Sequence, residues 1–128
     1  GGSRLKVSLI NINEIRELLL GKILNKVTLS FYVNDFDVVY KPHDLLRLVK
    51  LENGLTQLLP DAYEGSTHIG GNLEDDNYEF NITLYFNEIM QGNSNSYQLY
   101  LFSATPAENA NRTILSEDIE LTIHYSEL

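Results

Sequence analysis

The chain has 128 residues, 43% hydrophobic and 21% charged, a composition that fits one domain (1–128) with a real core. Its 18 acidic and 9 basic residues give a net charge of −9, which argues against nucleic acid and anionic membrane surfaces as partners. With no cysteine, disulfides, thiolate catalysis and Cys-based zinc sites are excluded, and no apolar run approaches the roughly 20 residues of a membrane span.

Gly1-Gly2-Ser3 lacks an initiator Met and reads as a cloning scar. Asn13 reads as a helix N-cap, with Glu14 and Glu17 in the first turn, where the helix dipole favours acids. Ile15, Leu18 and Leu19 form an apolar stripe, and Gly21 stops a short helix over about 14–20. Ile23, Val27, Leu29, Phe31 and Val33 then share one side of an alternating segment, with Asn25 as the exception and Lys26, Thr28 and Ser30 opposite. Period two predicts a half-buried strand. Asn34-Asp35 suits a tight hairpin turn, with Phe36 to Tyr40 returning.

Pro42 to Gly54 reads in two ways. Leu45, Leu46, Leu48 and Val49 are adjacent apolar pairs, which favour a helix capped by Asn53-Gly54. The same Asn53-Gly54 is also a hairpin signal. The helix is preferred, because a strand with one solvated face would not choose such pairs. Pro60 to Asn77 is turn chemistry with a short strand near Thr67–Ile69. Tyr78, Phe80, Ile82, Leu84 and Phe86 alternate with polar residues and Tyr85 as a further strand. Tyr97–Ala104, an edge segment Arg112–Leu115, and the alternation of Ile119, Leu121, Ile123 and Tyr125 complete the set. The fold class is α+β: a curved antiparallel sheet approaching a partial barrel, with one or two helices in the N-terminal half.

Charge is unevenly spread. Residues 1–50 hold eight basic and five acidic residues; residues 51–128 hold thirteen acidic residues and only Arg112 as a base. The surplus carboxylates repel one another and suit a basic partner. No HExxH, EF-hand, phosphate-loop or GxSxG pattern accompanies them, so no catalytic residue, metal or cofactor is assigned. His43, His68 and His124 read as ordinary histidines, and Gly70-Gly71 as a turn rather than an anion cradle. Glu79 and Glu120 sit where paired carboxylates could face each other across strands, but glycoside hydrolysis needs a defined separation and a substrate cleft, and the sequence specifies neither.

The partner-binding candidates are the acids Glu74, Asp75, Asp76, Glu79 and Glu120, with Tyr85, Tyr100 and His124 on the polar strand face and Tyr63-Glu64 as a second patch. Tyr supplies large amphipathic contact area in protein interfaces. In size, acidity, absence of Cys and absence of catalytic motifs, the chain resembles the small immunity proteins of bacterial toxin systems, including contact-dependent growth inhibition. That resemblance implies a cytoplasmic, non-enzymatic protein that neutralises one toxin, such as a nuclease, by direct binding. The alternative is a small-ligand-binding or enzymatic domain with a pocket lined by Tyr85, Tyr100 and His124.

Overall fold

The computed structural model describes residues 4–35, 42–103 and 114–128. Chain order is β1 (Leu5–Ser8), α1 (Ile12–Leu18), β2 (Lys22–Asp35), β3 (Leu46–Glu52), β4 (Leu55–Leu58), a 3-10 turn (Pro60–Glu64), α2 (Ser66–Ile69), β5 (Gly70–Glu74), β6 (Asn77–Asn81), α3 (Thr83–Met90), β7 (Gln98–Ser103) and β8 (Ile114–Glu127). The class is α+β with antiparallel pairing throughout. The strands divide between two four-stranded sheets, ordered β1-β7-β3-β4 and β5-β6-β2-β8. An isolated bridge between Leu45 and Asn72, and the Leu73 N–H donated to the Asp44 carbonyl at 2.8 Å, join them at one corner.

One apolar cluster serves both sheets. Val7, Leu48, Leu99 and Leu101 come from the first sheet, Leu29, Phe31, Tyr78 and Phe80 from the second. Tyr85, Phe86 and Ile89 of α3 are fully buried in the same cluster. Phe31 and Phe80 meet edge to face, with ring centroids 5.9 Å apart, a favoured aromatic geometry.

Several elements differ from the sequence reading. The first helix begins at Ile12, with Asn11 rather than Asn13 at the cap position; Asn13 instead accepts a bond from the Arg16 guanidinium at 3.1 Å. Asn34-Asp35 prolongs β2 rather than turning, and Phe36–Tyr40 lies outside the described residues. A register shift between Leu24 and Lys26 explains the Asn25 exception. The bulge flips the strand's faces, so Leu24 packs on the core and Ile23 is 49% exposed.

Residues 46–58 are a hairpin, not a helix. Asn53 (φ 54°) and Gly54 (φ 79°) form its two-residue turn, where both positive angles match the twist of the flanking strands. The adjacent pair Leu48-Val49 arises because β3 buries one apolar residue on its outer side as well. Leu46 and Leu48 face the core, while Val49, on the other side, is also buried, opposite Tyr100 and Leu58. Thr67–Ile69 is part of the helical turn α2. The alternation from Tyr78 continues as a strand only to Asn81; Thr83–Met90 is α3, so a main helix lies in the C-terminal half. The Arg112–Leu115 segment is described only from Ile114, the first residue of β8.

Candidate functional site: an acidic sheet face

The outer face of the second sheet follows from strand parity. In β2, Val27, Leu29, Phe31 and Val33 point into the core, so Thr28, Ser30 and Tyr32 point outward. Ser30 pairs with Glu79 of β6 on one side and with Glu120 of β8 on the other. The two glutamates therefore flank a small residue on one face, their backbones about 10 Å apart at normal strand spacing. Thr28 lies between Asn81 and Thr122, and Lys26 opposite His124.

Beyond Ser30, Tyr32 pairs with Asn77, next to the Asp75-Asp76 turn that joins β5 to β6. The Tyr32 hydroxyl donates to Glu120 Oε2 at 2.9 Å. Its pKa is raised, first by that bond, then by partial desolvation, and then by the negative charges of Glu120, Asp76 and Glu79. Three carboxylates thus act on one phenol. Among the described residues, none of Glu74, Asp75, Asp76, Glu79 and Glu120 forms an ion pair.

Beside this row lies a polar depression of about 380 Å³, lined by Lys26, His68, Asn72, Glu74, Glu79 and Asn81 among others. Gly70 and Gly71 form its floor for a steric reason. A Cβ on Gly70 would sit 2.5 Å from the Glu79 carbonyl oxygen, and one on Gly71 would sit 2.5 Å from that of Leu46. They open β5 and allow neighbouring backbones to approach closely, rather than forming a turn.

His68 is held from below. Its Nε2 lies 2.8 Å from Oδ1 of Asp61, whose side chain is fully buried. Asp61 also accepts the N–H groups of Leu84 and Tyr85, at 2.9 Å each. These belong to the first turn of α3, so a carboxylate 23 residues upstream caps that helix. At the other end, the Arg16 guanidinium donates to the Ile89 carbonyl at 2.6 and 3.2 Å. Asp61 carried no functional or capping signal in the sequence reading, because its partners are distant in the chain. Among the described residues, no three His, Asp or Glu side chains are grouped for a metal ion.

The sequence candidates fall into three groups. Glu79 and Glu120 share the outer face of the second sheet with His124, and Glu74, Asp75 and Asp76 close one end of that sheet. Tyr63 and Glu64 are exposed on the 3-10 turn. Tyr85 and Tyr100 lie elsewhere. Tyr85 is buried in α3 and donates its hydroxyl to the Ser96 carbonyl at 2.5 Å. Tyr100 lies on the outer face of the first sheet, under the Arg4 guanidinium at 4.6 Å. Tyr85, Tyr100 and His124 therefore line no common pocket. Tyr32 was missed, although the parity of Lys26, Thr28 and Ser30 already placed it on the acidic side. No described helix is long and apolar enough to cross a membrane. No family, curated protein or solved structure matches the chain.

Proposed function

We propose that this is a binding protein whose acidic sheet face engages a basic protein partner. The observation that carries the reading is the row formed by Glu79, Ser30 and Glu120, with Asp76 acting on the adjoining Tyr32 and no cation paired to these acids among the described residues. Unneutralised like charges on one rigid face cost stability and are compensated by a complementary partner. A sheet holds such side chains at fixed spacing, and Tyr32 adds amphipathic contact area at their centre. A toxin with a basic substrate cleft is a partner class that fits, and the chain then acts as its inhibitor in the cytoplasm without chemistry of its own.

The test is to search the neighbouring reading frames for a basic toxin, co-express any such protein with this chain, and measure association kinetics on the purified pair. The wild-type chain should restore growth, and the double change Glu79→Lys and Glu120→Lys should slow association at least tenfold at low salt. The difference should shrink as salt rises. Equal association rates for the two forms at low salt would remove this face from the interface.

A further inference from the structure

β8 is 14 residues long and is the outermost strand of its sheet. Among the described residues, no strand pairs with its far side. Such an edge presents a row of backbone N–H and C=O groups that can template an added strand. Bulges interrupt the β2–β8 ladder near both ends, but from Ile119 to His124 the pairing runs without a register shift. That stretch is the straight part of the edge.

The two faces of this stretch differ. Ile119 and Leu121 point inward and wall an apolar groove of about 270 Å³, together with Ile10, Ile12 and Ile15. Ile119 is 42% exposed and Ile10 70%, so the groove opens to solvent. Glu120, Thr122 and His124 point the other way, onto the acidic face. A strand added along β8 would follow the same alternation, because cross-strand neighbours share a face. Its residues opposite Ile119 and Leu121 would face the groove, and those opposite Glu120 would lie among carboxylates.

A second copy of this chain is a poor occupant. Edge-to-edge pairing would bring two acidic strands together from molecules that each carry −9, and opposed like charges destabilise a ladder. We infer that the β8 edge accepts an extended segment of the basic partner in which Lys or Arg alternates with apolar residues. This deepens the proposed function and rests on it: the acids that discourage self-pairing select a strand of opposite charge.

A ten-residue peptide alternating Lys and Val serves as the probe, with a Glu–Val peptide as control. Amide hydrogen exchange is followed by NMR at low salt. The Lys–Val peptide should slow exchange at least tenfold at the amides of residues 119–124 that point away from β2, and the Glu–Val peptide should not. Ile10→Asp, at an exposed groove residue, should weaken the effect in a folded protein. Peptide binding that leaves β8 amides unchanged overturns strand addition, as does no binding or equal binding of both peptides. The acidic face itself is judged separately, by the Glu79→Lys and Glu120→Lys protein with the intact partner.

Discussion

Asp61 is the residue on which the most structure converges. It has no solvent exposure, and it joins the 3-10 turn to α2 through His68 and to α3 through two backbone N–H groups. Asp61→Ala leaves two N–H groups without their acceptor and should destabilise the fold by about 3 kcal/mol. His68→Ala removes a partly exposed partner and should cost under about 1 kcal/mol. Urea midpoints at neutral pH measure both, and equal losses would reduce Asp61 to a partner of His68. Tyr85 gives a pH signature. Burial is the largest cause raising its pKa from 10.0, with smaller effects from Tyr97, Glu52 and Glu88. Between pH 10 and 12 the unfolded phenol ionises while the folded one stays neutral, so the stabilisation present below pH 10 falls as pH rises. Tyr85→Phe removes the bond to Ser96 and should cost about 1 kcal/mol at pH 7. Its stability should decline less steeply than wild type between pH 10 and 12, as read from urea midpoints across that range.

At the scale of elements, the outcome depends on where the decisive contacts lie. The long alternation of β2 and the parity that puts Glu79 and Glu120 outward are local patterns, and these were legible. The β3–β4 hairpin was not, although its Asn53-Gly54 turn was visible, because Val49, buried on the outer side next to core-facing Leu48, breaks the alternation that marks a strand. α3 was hidden for a different reason. Its residues continue the alternation of β6, and the caps that favour helix there are Asp61 and Arg16, far away in sequence. β5 depends on close backbone approach. Gly71→Ala would set a Cβ 2.5 Å from the Leu46 oxygen and 2.6 Å from the Phe80 ring, at a φ of +96°. It should cost more than about 2 kcal/mol, whereas Gly92→Ala, at φ +78° with nothing within 4 Å, should cost about 1 kcal/mol. Thermal melts of the two variants check the contrast.

For the whole molecule, the charge split of the sequence becomes a difference between sheets. Lys6 and Arg47 alternate outward from core-facing neighbours in the first sheet, and Arg4 stacks on Tyr100 there. The second sheet carries Glu74, Glu79 and Glu120. Lys22 and Lys26 remain on the second sheet, so the division is incomplete. The ladder between β2 and β8 has another consequence. Asn25 bonds Ser126 across 101 residues, and Tyr32 bonds Glu120 across 88. Closing such loops costs chain entropy before any contact compensates for it. The ladder that presents the acidic row is thus expected to close after the local hairpins β3–β4 and β5–β6, an order that pulse-labelled hydrogen exchange during refolding would check. Until it closes, the apolar residues of β2 lack β8 at their side, and the net charge of −9 is then a safeguard that keeps incompletely folded chains apart.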